Sequence, residues 1–195
     1  MSVWRTLLET ARYAPSPHNV QPWRLRVLSD DTADLFIEKH RTLPKEDTTG
    51  SFIILSMGIF IEALSIVAGN TSFKLAFEFY QSPSAFTPAR IAEAQRELLP
   101  FAKLTLERGS TRESVYENEL FLTRRTSRIS YLPEPVPDEA VEVLSELARA
   151  WGQTYRQVTA SQTIDQILKR NIEAVFEDLN APQYHDEIVE WFRFT

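Results

Sequence analysis

Apolar stripes at helical spacing alternate along this chain with short runs of strand-like alternation. Val3, Leu7, Leu8 and Ala11 recur at helical intervals over residues 3–13, with Ser2 as a candidate N-cap, and this first helix must end before Pro15. Residues 14–23 then bring Pro15, Ser16, Pro17, Asn19 and Pro22 together. That density of turn formers predicts a stiff polar loop, neither helix nor central strand. Two alternating runs follow, 23–28 and 34–39, separated by Ser29-Asp30-Asp31-Thr32, and they predict an antiparallel hairpin.

Residues 51–68 form the longest apolar stretch, about 18 residues, the lower limit for crossing a membrane. Ser56, Glu62 and Ser65 interrupt it and no basic flank follows, so it is predicted to be a central helix buried on all sides, at a subunit or half-to-half interface. Residues 73–81 and 101–108 read as strands, with a helical stretch over 88–99 between them and a short helix over 113–123 after them. Beyond Pro133, Pro135 and Pro137, a helix over 138–150 has Asp138 at its start and Gly152 just past its end. A strand is predicted over 154–159, a helix over 161–180 and a last helix over 184–192. The mixture is of the α+β class, and the proline cluster 133–137 is the candidate boundary. Trp191, Phe192 and Phe194 make an apolar end, to be docked in the core or covered by more chain.

Composition narrows the function. With 21 basic and 27 acidic residues the net charge is −6, which disfavours a general nucleic-acid or anionic-membrane binder. The absence of cysteine excludes disulfides, thiolate catalysis and cysteine-ligated metal, and it fits a reducing, cytoplasmic setting. Five glycines, at 50, 58, 69, 109 and 152, are too scattered for a dinucleotide fingerprint or a P-loop. Any phosphate must be gripped by side chains or a helix N-terminus. The first residues, Met1-Ser2-Val3-Trp4-Arg5, lack the charged-then-apolar order of a signal peptide.

Two segments can carry chemistry. The loop APSPHNVQPW, residues 14–23, presents a hydroxyl at Ser16, carboxamides at Asn19 and Gln21 and an aromatic plate at Trp23, a set suited to a planar heterocycle with donor and acceptor edges. The same residues also suit a purely structural loop closing a helix onto a strand, and His18 can be a packing residue. The segment RRTSR, residues 124–128, holds three guanidiniums and two hydroxyls and can cradle a phosphate through bidentate bonds. A solvated basic turn, a kinase-recognition sequence and a nucleic-acid patch are the competing readings.

APSPHNVQPW resembles the A-P-S-x-x-N-x-Q-P-W signature of the nitroreductase-like flavoprotein family, and RRTSR followed by Pro135-Val136-Pro137 and a helix resembles its R-[RH]-[ST]-x-[RK] segment. Here the loop precedes the arginines by about a hundred residues, the reverse of the ordinary order. That arrangement resembles the Acg-like branch, in which two halves are fused into a pseudo-dimer, as do RTLPKED at 41–47 and EIVEWF at 187–192.

The resemblance implies an antiparallel-rich mixed sheet flanked by helices, with residues 1–120 as a first half and 121–195 as the start of a second. It implies FMN, with Pro15, Ser16, Pro17 and Asn19 bordering the ring and Arg124, Arg125, Thr126 and Arg128 at the phosphate and ribityl chain, Arg128 lying toward the flavin N1–O2 edge. It further implies NAD(P)H as transient donor, hydride transfer to a nitro, quinone or similar acceptor, no nucleic acid or membrane partner, and a homodimer or association through the apolar helix. No metal and no acid–base residue is required, because the chemistry belongs to the flavin. A non-catalytic protein that sequesters FMN, with residues 83–99 covering the ring, is the alternative. The relatives of this branch run past residue 195 with further flavin contacts.

Overall fold

The computed structural model describes residues 2–109, 116–127, 132 and 134–191. They fall into two compact units, residues 1–125 with 182–195, and residues 126–181.

In the first unit, helix α1 (Val3–Ala11) leads through the proline loop, which makes one 3-10 turn at Pro17–Asn19, into strands β1 (Trp23–Val27) and β2 (Thr32–Glu38). Helix α2 (Ser51–Asn70), β3 (Phe73–Phe79), α3 (Pro88–Glu93), β4 (Leu98–Arg108) and α4 (Asn118–Thr123) follow, and α7 (Pro182–Glu190) returns to this unit from the far end of the chain. The strands form one sheet in the order β1-β2-β4-β3, and every pairing is antiparallel. The predicted hairpin is present, with Trp23 opposite Ile37 and Val27 opposite Ala33.

Alternation then sorts the side chains. Ala33, Leu35 and Ile37 of β2 and Ala102, Leu104 and Leu106 of β4 lie on the core face, where Met57, Phe60 and Leu64 of α2 and Trp4 and Leu7 of α1 meet them. Trp23 stacks on Phe60 with ring centroids 4.6 Å apart and planes 10° from parallel, joining the end of the proline loop to the middle of α2. A bulge between Leu35 and Phe36 skips Phe101, which packs against Phe79 and Phe86 at 5.3 Å from each.

Alone among the described residues, α2 is long and apolar enough to cross a membrane, yet 56% of its most apolar window is buried inside the protein. Within this chain alone it is buried on one side. Phe52, Leu55, Gly58 and Glu62 form an exposed face at helical spacing, because the sheet and α1 cover only the opposite one. Asp47 closes its N-terminus, Oδ2 accepting from the Ile53 amide at 3.0 Å, and Gly50 turns the chain into it at φ +79°.

Three other expectations are corrected. The helix over 88–99 stops at Glu93, because residues 98–100 pair with β2, Leu98 opposite Glu38 and Pro100 opposite Phe36. Residues 154–159 form no strand: alternation needs a partner ladder, and the described residues of the second unit supply none. Ser2 stands at the N-cap of α1, but only its carbonyl is used, accepting from Arg5 and Thr6. Of the predicted helix over 113–123, residues 113–115 lie outside the described residues, as does the chain end at 192–195.

The second unit holds α5 (Asp138–Ala150) and α6 (Ser161–Asn180), neither with a buried residue. Helix α5 ends as its glycine predicts. Gly152 sits at φ +67°, its amide donating to Arg149 O at 3.0 Å and that of Gln153 to Ala148 O at 2.8 Å, a Schellman closure.

The two left-handed glycines differ in surroundings. A Cβ on Gly50 would meet the Phe86 carbonyl oxygen at 2.4 Å, whereas one on Gly152 would meet nothing within 4 Å. Urea unfolding should therefore show Gly50→Ala costing about 3 kcal/mol or more and Gly152→Ala only about 1 kcal/mol.

Candidate functional site

The loop at residues 14–23 is held in an uncommon backbone conformation. His18, Asn19 and Gln21 lie at φ of 47°, 55° and 49°, three non-glycine residues in the left-handed region within four positions. Asparagine tolerates that region best, because its short amide bonds locally, and glutamine has no such help. The loop is pinned by its own polar groups. The Asn19 amide donates to Ser16 O at 3.0 Å, the Gln21 amide to Ser16 Oγ at 3.0 Å and Gln21 Nε2 to Arg12 O at 3.0 Å. Arg41 Nη1 donates to Val20 O at 2.9 Å, and His18 Nε2 lies 2.8 Å from Glu46 Oε2.

Within this loop the candidate residues separate. Asn19 is exposed, and its carboxamide has no partner among the described residues. Pro15, Ser16 and Pro17 are half-buried, and the Ser16 hydroxyl is occupied in fixing Gln21. Trp23 is corrected: it is 7% exposed and stacked on Phe60, so it is a core residue and no plate for a ligand. Gln21 is likewise spent on the end of α1.

The arginine segment follows α4, with Arg124 at φ −52° and ψ 134° ending the helix. Arg124, Arg125 and Thr126 are all exposed. Arg125 Nη1 donates to Leu122 O at 3.0 Å and to Arg124 O at 2.8 Å, capping carbonyls left free at the helix end, while Arg124 makes no side-chain bond among the described residues. Arg128 lies outside the described residues. No hydrogen bond, ion pair or ring contact joins the loop to Arg124 or Arg125.

Sequence reasoning missed the residues that surround the loop. Glu38 pairs with both Arg24 and Arg41, with Arg41 Nε at 3.0 Å. Arg41 also lies over the Trp191 ring at 5.6 Å, and Glu187 of α7, 7% exposed, accepts from the Lys45 and Glu46 amides. Nothing local in the sequence signals contacts between residues more than 140 positions apart.

No family model matches the chain. Over 187 residues, 96% of this chain, it is 26% identical to a Mycobacterium tuberculosis protein named "Putative NAD(P)H nitroreductase Rv3131", and over 91% of the chain it is 28% identical to the uncharacterized protein Rv3127 of that organism. The similarity is to nitroreductase-like proteins. The chain spans about half the length of these curated relatives, 50% and 49%. Among solved structures, a "putative nitroreductase in complex with FMN" from Exiguobacterium sibiricum aligns at TM-score 0.41 and 14% identity over 63% of this chain and 85% of that one. A nitroreductase-like protein from Streptococcus mutans aligns at TM-score 0.42 and 14% identity over 65% and 87%.

The displaced titrations lie on the sheet and touch none of the candidate residues. Burial would raise the Asp34 carboxyl, but the Tyr80 hydroxyl at 2.5 Å and Arg26 Nη2 at 2.6 Å outweigh it and hold it below its ordinary 3.8. The same bond to Asp34, with burial, raises the Tyr80 phenol above 10.0. Asp34 thus contributes stability that is complete above its ordinary value and is lost as pH falls through its lowered folded value. Tyr80 contributes stability that is complete below 10.0 and is lost as pH rises through its raised one. Asp34→Asn should flatten the acid-side decline and cost about 1–2 kcal/mol at neutral pH, since Arg26 is largely solvated; urea midpoints at about pH 3 and about pH 7 read both.

Proposed function

We propose that this chain is the cofactor-holding part of an NAD(P)H-dependent FMN oxidoreductase of nitroreductase type, in the Acg-like arrangement, with residues 1–120 as one half and 121–195 as the start of a second. The observation that carries the reading is the loop at residues 14–23, in which a locked left-handed backbone presents the unpartnered carboxamide of Asn19. Similarity to the mycobacterial proteins over nearly the whole chain supports it.

The donor set fits the group in part. Asn19 supplies both a donor and an acceptor for a ring edge, with Pro15, Ser16 and Pro17 as a stiff wall beside it. Arg124 and Arg125 supply exposed, always-charged donors for a phosphate, and the family resemblance would assign Thr126 and Arg128 the same role. Bound FMN supplies the hydride chemistry between NAD(P)H and a nitro, quinone or similar acceptor. The protein's share is to fix the ring edge, neutralise the phosphate and exclude water. Storage without turnover uses the same residues, and a rate of NADPH oxidation separates the two. Residues 83–99, the candidate cover in that case, are pinned by buried Phe86 and Ile91 and by Lys39 Nζ bonded to Ala92 O and Ala94 O.

Association belongs to the same reading. Phe52 and Leu55 on α2 are 37% and 60% exposed, and Val143, Leu147, Ile172 and Phe176 of α5 and α6 stand open as well. Faces of this kind are covered by further chain or by a second copy. No nucleic acid or membrane partner is invoked, and the cytoplasm is the compartment implied.

Purified protein loaded with FMN and then denatured should release FMN and no FAD. Arg124→Ala and Arg125→Ala should each weaken FMN binding by about 1.5–3 kcal/mol, the range for a charge-assisted bond to an anion, while Arg5→Ala stays neutral. Equal effects of all three would remove the cradle. Light scattering at micromolar concentration should give more than the monomer mass of 22.5 kDa.

A further inference from the structure

We infer that α7 and the turn just past it form a positioning element, in which Glu187 and Trp191 hold the loop at residues 14–23 in its left-handed conformation through Arg41 and Glu46. The reading of that loop as a flavin border, on which this rests, says nothing of what keeps it in shape. Three non-glycine residues at positive φ are unfavourable and persist only where their surroundings over-determine them. Outside the loop itself and the end of α1, the side chains that grip its left-handed stretch are Arg24 of β1, whose Nη1 donates to Gln21 O at 3.4 Å, Arg41, bonded to Val20 O, and Glu46, at 2.8 Å from His18. Arg41 and Glu46 both sit in the stretch between β2 and α2, where Glu38 braces Arg41, with Arg41 Nε at 3.0 Å.

Helix α7 reaches both. The Glu187 carboxylate accepts from the Lys45 amide at 3.1 and 3.2 Å and from the Glu46 amide at 2.9 Å, fixing the backbone from which the Glu46 side chain extends to His18. One turn later Trp191 lies under the Arg41 guanidinium at 5.6 Å. Two contacts one turn apart, on α7 and just past its end, thus end on two of the three outside side-chain grips of that stretch. Glu187 is 7% exposed and forms no ion pair among the described residues, and there the Lys45 and Glu46 amides answer its carboxylate. Without that carboxylate the Lys45 and Glu46 amides would lose their acceptor, so Glu187 fixes the backbone on which Glu46 stands.

The test uses the full chain, without flavin first. Amide hydrogen exchange is followed in wild type, Glu187→Ala, Glu46→Ala, Glu46→Gln and Asp186→Ala, the last an exposed neighbour as control. In Glu187→Ala and Glu46→Ala, the Asn19 and Val20 amides, bonded to Ser16 O and Pro17 O, should exchange about tenfold faster. Core amides of β2 and β4 should not change. Glu46→Gln, which keeps an acceptor for His18, should restore slow exchange, and FMN titration of the same proteins should show weakening in the same rank order. Acceleration confined to residues 45 and 46, or spread equally over the core, would overturn the proposal, as would loss of the slow amides in Glu46→Gln. Should wild type bind no FMN while the loop amides still respond to Glu187→Ala, the positioning stands and the flavin reading falls.

Discussion

The burial of α2 against one face of the sheet is the interaction on which the first unit depends. Met57, Phe60 and Leu64 lose all exposure to water there, and the chain before and after is arranged to permit it. Asp47 satisfies an amide at the helix start, Gly50 makes the turn that lets the chain pass beneath the Phe86 carbonyl, and the Trp23 indole stacks on Phe60. That stacking ties the proline loop to the helix: its C-terminal end is anchored in the core by an aromatic pair, and only its front is free to meet a ligand.

Such a division explains why the loop has two kinds of residue. Trp23, Val20 and Ala14 are buried and serve the fold. Asn19 is exposed, and its backbone cannot relax, because the residues on either side are bonded away. A carboxamide so held loses little entropy on binding, which is the physical content of preorganisation. The arginine segment is built on the opposite plan. Arg124 and Arg125 are solvated and paired to little beyond the carbonyls of their own helix end, so a bound anion must order them.

The second unit shows what the same chain does without such a core. Helices α5 and α6 are periodic, and α5 closes at Gly152, yet Val143, Trp151, Ile172 and Phe176 remain mostly exposed. Amphipathic helices gain most of their stability from what they pack against, so these faces carry the pattern of an interior without its cover.

The local features were legible in the sequence. Proline and glycine chemistry marked the loop, the end of α1 and the Schellman closure at Gly152. An unbroken apolar run found α2, start and stop residues found α5, helical spacing found α1 and α6, and alternation found the hairpin. Each of these is decided within a few residues, by sterics and by one apolar face. What tertiary structure alone decided is everything that needs a distant partner. Residues 98–100 became strand because β2 was there to pair with them, and residues 154–159 did not, the described residues offering them no ladder. Trp23 looked like a ligand plate until Phe60 occupied its face. Glu187 looked like one acid among many on a terminal helix, until folding brought it to two amides some 140 residues away in the chain. A sequence displays the preferences of each residue, but which preference is satisfied depends on what the fold sets beside it.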